Sequence, residues 1–298
     1  MKELAFSGIA AVGKHLFGRL SPRSAARIGT LIGDLGYYFD REHRTIACHN
    51  LRLAFGDALS DDEINRIVRE VFRNFAQTAV EFVRIPSLDY EKAVTLISPE
   101  NRERLDECLE RGKGVILVTG HFGNWELMAA AGALAGYPIS AVARPMNHSI
   151  WDKIINEIRQ SSGLKIIARD RSAFAIVKRL KRNEVIGILT DQNTRRQNIF
   201  VDFFGMKAAT TSGPALLALK TGAALVPAFM LRSEHGSHRL IIEEPIEVVP
   251  TGDIEADALV LTQKYTAALE KYVRQYPSQW LWLHRRWRTR PPGEPALY

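Results

Sequence analysis

Two residues with the chemistry of proton transfer stand close together in Gly120-His121-Phe122-Gly123-Asn124-Trp125-Glu126. An imidazole is the usual side chain for moving a proton near neutral pH, and a carboxylate is its usual companion. On one continuous helix the His121 and Glu126 side chains would point about 140° apart, at about 100° per residue. They meet only if His121 lies in a loop and Glu126 in the first turn of the helix that follows. Gly120 and Gly123 allow the backbone angles of such a corner, and Asn124 is a natural N-cap. A helix N-terminus disfavours imidazolium and so keeps His121 neutral, as a base must be. Glu126 is then expected to hold the ring in one tautomer and to stabilise the cation as it forms. No Ser or Cys stands nearby as a nucleophile, so the attacking group belongs to a substrate, most simply a hydroxyl. The same residues also fit a histidine at a strand end that bonds a helix-capping carboxylate, and spacing alone does not separate the two readings.

Other groups stand at places where chemistry gathers. Arg144-Pro145 follows an apolar run, and proline fixes the local backbone there. A guanidinium projecting from that turn suits bidentate contact with a phosphate. Arg159 reads from its position as a cation at a helix C-terminus, which suits the dipole. Asp191-Gln192-Asn193 follows Ile186-Gly187-Ile188-Leu189-Thr190. A carboxylate at a strand end can orient a base, bind an arginine, ligate a metal or simply cap its own loop. Arg195 and Arg196 come next and either meet phosphates or face water. Phe203-Phe204-Gly205 and Thr210-Thr211-Ser212-Gly213-Pro214 read as a loop entering a helix. Its first N–H groups suit an anion, and its aromatic pair either lines an acyl channel or packs in the core. Near the C-terminus Trp280, Trp282 and Trp287 alternate with His284, Arg285, Arg286, Arg288 and Arg290. Rings among cations fit a lipid headgroup layer or stacked bases. Without a nucleic-acid-binding signature the membrane reading is preferred, the alternative being tryptophans that cover the core. No histidine spacing indicates a metal site.

The sequence His121-Phe122-Gly123-Asn124-Trp125-Glu126 resembles the H-x-x-x-x-E motif of the lysophospholipid acyltransferase superfamily. Its wording is similar to that of the bacterial lipid A late acyltransferases, the lauroyl and myristoyl transferases. Asn50-Leu51-Arg52-Leu53-Ala54-Phe55, Asp191-Gln192, Val201-Asp202-Phe203-Phe204-Gly205 and Trp280–Trp287 follow in the order that family shows, so the resemblance covers most of the chain. It implies a membrane-associated O-acyltransferase that moves a fatty acyl group from an acyl carrier protein thioester to a hydroxyl of a lipid A precursor or related glycolipid. His121 and Glu126 are the implied catalytic pair. Arg144, Arg159, Asp191, Gln192, Phe204 and Gly205 are the implied substrate-binding residues. Neither a metal nor a cofactor is implied. Alternatives are acylation of a lysophospholipid or other polar lipid, and hydrolysis of thioesters or lipid esters.

These groups need elements to hold them. The chain has 298 residues, 46% hydrophobic and 24% charged, which is ordinary globular composition. A net charge of +7 favours anionic partners: nucleic acid, an anionic membrane surface, an acidic carrier protein or phosphorylated substrates. Two cysteines, Cys48 and Cys108, form no metal spacing and no disulfide framework, as expected in a reducing compartment. Met1–Leu20 is interrupted by charges and reads as a helix lying on a surface, neither a spanning segment nor a signal peptide. Residues 1–93 read as a helical N-terminal extension that associates with a membrane, its Tyr37-Tyr38-Phe39 at headgroup level. Within it Ser60 and Glu63 form a capping box, and Glu81 reads as part of a solvated face. Residues 94–298 read as an α/β domain continuous with it. Strands are expected at 115–119, 139–143, 165–168, 185–190, 225–231 and 240–249. Helices are expected to start at Ser98-Pro99-Glu100 and to cover about 125–134, 149–161, 172–180, 212–220 and 256–276. This alternation predicts a mixed, largely parallel sheet flanked by helices, with His121, Arg144 and Asp191 just past strand ends, where such sheets keep their sites. The expected location is the cytoplasmic face of the inner membrane, peripheral or monotopic, with no nucleic-acid partner.

Overall fold

The computed structural model describes residues 18, 20–145, 149–168, 172–195, 198–247 and 250–298. The surface helix expected over Met1–Leu20 falls almost wholly outside them. The N-terminal part is helical: α1 (Pro22–Phe39), α2 (Arg41–Phe55), α3 (Asp61–Arg84) and the short α4 (Tyr90–Leu96). Local chemistry sets their starts. Ser21 accepts from the Ser24 amide with Pro22 at the first helical position, and Ser60 and Glu63 make the expected reciprocal box at the head of α3. The apolar stripe of α3 buries Ile64, Val68, Val71 and Phe72. Asp34 of α1 accepts from both Arg69 and Arg73 of α3, and the hydrogen bonds from these two guanidiniums hold its carboxyl well below the usual carboxylate range.

The remainder alternates: β1 (Ile97–Glu100), α5 (Arg102–Glu110), β2 (Val115–Thr119), α6 (Trp125–Leu134), β3 (Ile139–Ala143), α7 (Ser149–Gln160), β4 (Lys165–Ala168), α8 (Ser172–Leu180), β5 (Val185–Leu189), β6 (Asn198–Phe203), β7 (Met206–Thr211), α9 (Gly213–Thr221), β8 (Ala224–Arg232), β9 (His238–Ile242) and α10 (Ile254–Gln275). Seven strands form one sheet in the order β1-β9-β8-β2-β5-β3-β4, parallel at every pairing except β8 with β9. The fold is therefore the expected mixed, largely parallel sheet between helices. β2 and β5 lie at its centre. Their Val115, Ile116, Val185 and Ile186 are fully buried, as parallel strands covered on both faces require. Apolar side chains of α5 and α6 pack on one face, and those of α8, α9 and α10 on the other.

Three segments differ from expectation. Ser98-Pro99-Glu100 is not a helix start but lies in β1, at the sheet edge, where a residue without an N–H is tolerated. The expected strand 240–249 is confined to β9; Pro245 lies beyond it, and residues 248 and 249 are outside the described set. The stretch before α9 is not a loop but the antiparallel β6–β7 hairpin. Its two-residue turn is Phe204-Gly205, both at positive φ (56° and 74°), the backbone that matches the twist of a tight hairpin.

The tryptophans of the C-terminal tail are not at a headgroup layer. Trp280, Trp282 and Trp287 are at most 2% exposed. They join Phe122, Phe203, Phe204, Phe229 and Tyr272 with Leu51, Val68 and Phe72 in one core that ties tail, hairpin and N-terminal helices together. Arg286 is buried among them, donating to the Ala209 carbonyl at 2.8 Å and the Thr210 hydroxyl at 2.5 Å. Both thiols, Cys48 and Cys108, are free.

Candidate active site

His121 stands two residues beyond the end of β2, and Asp191 two residues beyond the end of β5. The strands are parallel neighbours with Thr119 opposite Leu189. This register brings the two side chains side by side on leaving the sheet. Asp191 Oδ1 accepts from the His121 Nδ1 at 2.8 Å. Asp191 Oδ2 accepts from the His121 backbone amide at 2.7 Å and from the Trp280 indole at 2.9 Å. The Asp191 side chain is 2% exposed. Burial alone would raise its pKa, but the charge of His121, the hydrogen bonds from its ring and amide, and that from Trp280 overrule burial and hold it down to about 2. An ionised carboxylate only accepts, so the Nδ1 carries a proton and Nε2 is the ring nitrogen left to face a substrate. The Gln192 amide nitrogen lies 3.4 Å from Nε2, a long contact. The Trp125 ring meets the imidazole edge-on at 4.9 Å.

The corner itself is fixed from three sides. Gly123 donates to the Gln279 carbonyl at 2.8 Å, Leu281 donates to the His121 carbonyl at 3.1 Å, and Asn124 donates to the Met230 carbonyl at 3.3 Å. Gly123 has φ +54°, and a Cβ there would lie 1.7 Å from the Met230 oxygen, so only glycine fits. Asn124 caps α6 as expected, accepting from the Leu127 amide. Its amide nitrogen donates to Glu81 at 2.6 Å, and Thr78 donates to the Gly123 carbonyl at 3.1 Å. Glu81 is therefore not on a solvated face. It is buried in an ion pair with Arg232, beside His238 at 3.4 Å. Burial opposes its ionisation, yet Arg232 and His238 hold its pKa down to about 2.

Glu126 lies in the first turn of α6, as expected, but among the described residues no bond joins it to His121. Its oxygens accept from Arg159 at 2.9 Å and 2.6 Å, which clamps the start of α6 to the end of α7. The partner of the imidazole is thus Asp191, and the expected His121–Glu126 contact is replaced by two separate pairs. The reason is geometric: the turn through Phe122 and Gly123 carries the helix away, whereas the neighbouring strand delivers Asp191 directly. Arg159 is not left for a phosphate in this structure. Arg144 is exposed just past β3. Phe204 and Gly205 are not at the site. Phe204 packs on Phe55 and Trp282 beneath the Arg274 guanidinium, which lies 4.3 Å from its ring centre. Sequence reasoning missed four contributors: Trp280 as a donor to Asp191, Glu81 and Thr78 behind the corner, and His284. The His284 Nε2 accepts from the Asn193 amide at 2.8 Å, and burial depresses its pKa to about 4.

Beside the imidazole an almost wholly apolar cavity runs between α6 and the sheet. It is open to the centre of a water-sized sphere over about 140 Å3. Thr119, Trp125 and Leu189 line it at the His121 end, and Tyr137 and Arg102 line it at the other. The arrangement is an imidazole anchored through Nδ1, a buried counter-charge and an adjoining slot for an extended apolar group.

Known proteins share this chain's pattern along nearly its whole length. The family described as bacterial lipid A biosynthesis acyltransferase matches residues 5–289. The lipid A biosynthesis palmitoleoyltransferase of Escherichia coli (strain K12) is 30% identical over 274 residues, covering 91% of this chain and 87% of that protein. The lipid A biosynthesis lauroyltransferase of the same organism is 28% identical over 274 residues, 91% and 88% of the two chains. The phosphatidylinositol mannoside acyltransferase of Mycolicibacterium smegmatis is 27% identical over 227 residues, 74% and 72%. The chain belongs to the bacterial lipid A biosynthesis acyltransferase family.

Proposed function

We propose that this acyltransferase moves a fatty acyl group from its thioester on acyl carrier protein to a hydroxyl of a lipid A precursor. The His121 Nε2 takes the hydroxyl proton as the oxygen attacks the thioester carbonyl. Asp191 keeps the ring in the reactive tautomer and balances the imidazolium that forms. Backbone N–H groups at the start of α6 receive the oxyanion of the tetrahedral intermediate, a donor of this kind typically contributing about 3 kcal/mol. When the intermediate collapses, the C–S bond breaks, the new ester C–O bond remains, and the imidazolium returns the proton to the leaving thiolate. The acyl chain occupies the apolar cavity, and Arg144 meets a phosphate of the acceptor. Glu126 and Arg159 act as a brace that fixes where α6 begins.

The observation that carries this reading is the Nδ1-anchored imidazole at the end of an apolar cavity, in a chain of this family. The first 93 residues serve as a membrane-associating extension at the cytoplasmic face of the inner membrane. Its support is the outer side of α1, where Leu31, Leu35, Tyr38 and Phe39 are each more than half exposed. No helix among the described residues is long and apolar enough to cross a membrane. A second acceptor class, another glycolipid, has its support in the similarity to the phosphatidylinositol mannoside acyltransferase. The test is transfer by purified His121→Ala protein, with the lipid product identified by mass spectrometry. Loss of transfer by orders of magnitude with an unchanged melting temperature is expected; near-normal turnover would remove His121 from the reaction.

A further inference from the structure

The cavity runs from Trp125, whose ring meets the His121 imidazole, to Tyr137 and Arg102. Its sides are lined by small residues, among them Ala129 and Gly132 of α6 and Gly187 of β5. On β5 the lining positions run from Leu189 at the His121 end to Val185, about 13 Å at the rise of a strand. A Cβ placed on Gly187 would find nothing nearer than the Ser140 carbonyl at 3.8 Å. The slot thus has free room beside Gly187, and at the end away from His121 it meets Tyr137 and Arg102.

That wall is built differently from the rest. Tyr137 lies in the turn between α6 and β3, at the opposite end of the strands from His121. Its hydroxyl donates to Asp106 at 2.6 Å and accepts from Arg102 Nε at 2.8 Å. The Arg102 guanidinium also lies over its ring, 5.4 Å from the centre. An aromatic ring pinned by two side chains of a neighbouring helix is a fixed stop, whereas the aliphatic lining can repack.

We infer that Tyr137, held by Arg102 and Asp106, is the stop against which the methyl end of the bound acyl chain rests, and so sets the chain length this protein transfers. The inference rests on the cavity being the acyl site. Removing the ring lengthens the slot and moves the preference to longer chains. Filling the open space at Gly187 shortens it and moves the preference the other way.

The experiment uses the full chain in mixed lipid–detergent micelles with a graded series of saturated acyl carrier protein thioesters. A parallel competition measures graded free fatty acids against a bound fluorescent fatty acid. For Tyr137→Ala the ratio of kcat/KM for the next longer to the native-length chain rises roughly tenfold or more, the discrimination an apolar pocket gives per methylene. For Gly187→Leu the same ratio falls. Should the alanine variant melt below the assay temperature, Tyr137→Leu carries the same expectation with a smaller shift. If transfer is intact and the length profile of Tyr137→Ala or Tyr137→Leu is unmoved in both readouts, the inference is overturned. If no protein transfers an acyl group but fatty-acid competition still moves to longer chains in the Tyr137 variants, the stop stands and the proposed reaction fails.

Discussion

Replacing Asp191 by asparagine keeps the shape of the side chain and inverts the proton arrangement of the imidazole. The inversion follows from the hydrogen bonds. At Oδ2 two donors converge, the His121 amide and the Trp280 indole. In Asp191→Asn the carbonyl oxygen must stay there, since the NH2 group would meet two N–H donors head-on. The NH2 group is then left facing Nδ1. It can only donate, so Nδ1 must accept and the ring proton moves to Nε2. A histidine protonated at Nε2 has no lone pair to offer a hydroxyl. The corresponding change in a serine protease triad lowers kcat by about 10⁴, or roughly 5 kcal/mol of activation free energy, and that size of loss is expected here. Two of the three bonds survive as neutral ones, so folding stability should fall by only about 1–3 kcal/mol. The assay is steady-state transfer from an acyl carrier protein thioester by purified variants, with thermal unfolding run on the same samples. Glu126→Gln provides the contrast: it weakens the pair with Arg159 and leaves the imidazole untouched, so its loss should be much the smaller. An Asp191→Asn protein within tenfold of the parent, or a Glu126→Gln protein that loses more, would refute this assignment of roles.

Two further outcomes follow from the same geometry. His284 is neutral in the fold with a pKa of about 4, against 6.5 for the ordinary group; the unfolded chain therefore binds the extra proton first. Stability from this group is whole above about 6.5 and is lost as the pH falls toward 4, roughly 3 kcal/mol in total, so unfolding free energy measured across that window should fall less in His284→Gln. For Gly123→Ala the added methyl would sit 1.7 Å from the Met230 oxygen at a positive φ, so the corner must shift. A stability loss of about 3 kcal/mol or more is expected, with transfer falling further than stability alone accounts for, checked by melting and turnover on one preparation.

How much of this was legible beforehand depended on whether the signal was local. β2, β3, β4, α6 and α8 are each written in a short stretch of residues, and so are the N-caps at Ser60 and Asn124. The partner of His121 is not local: it depends on which strand lies beside β2 and in which register. Once β2 and β5 are known to be parallel neighbours, a His and an Asp each two residues past the strand ends are placed together without further assumption. The Phe204-Gly205 turn lacks the Asn-Gly or Asp-Gly wording of such hairpins. Its left-handed phenylalanine is held by Glu270 accepting from its amide and by Arg274 above its ring. Glu81 looked like one more charge on a long helix, because Arg232 and His238 reach it from the far half of the chain. The tryptophan-rich tail misled for a similar reason. Alternating rings and cations resemble an interfacial belt until three of the rings and Arg286 are found packed inside.

The tail's grip on the His121 corner joins distant parts of the chain. Gln279, Trp280 and Leu281 bind Gly123, Asp191 and His121, so the corner is completed only by segments from opposite halves of the polypeptide. Contacts that distant in sequence carry a loop-closure cost and slow folding as a whole. The geometry around His121 is thus set by the whole polypeptide, not by the β2–α6 segment that carries the histidine.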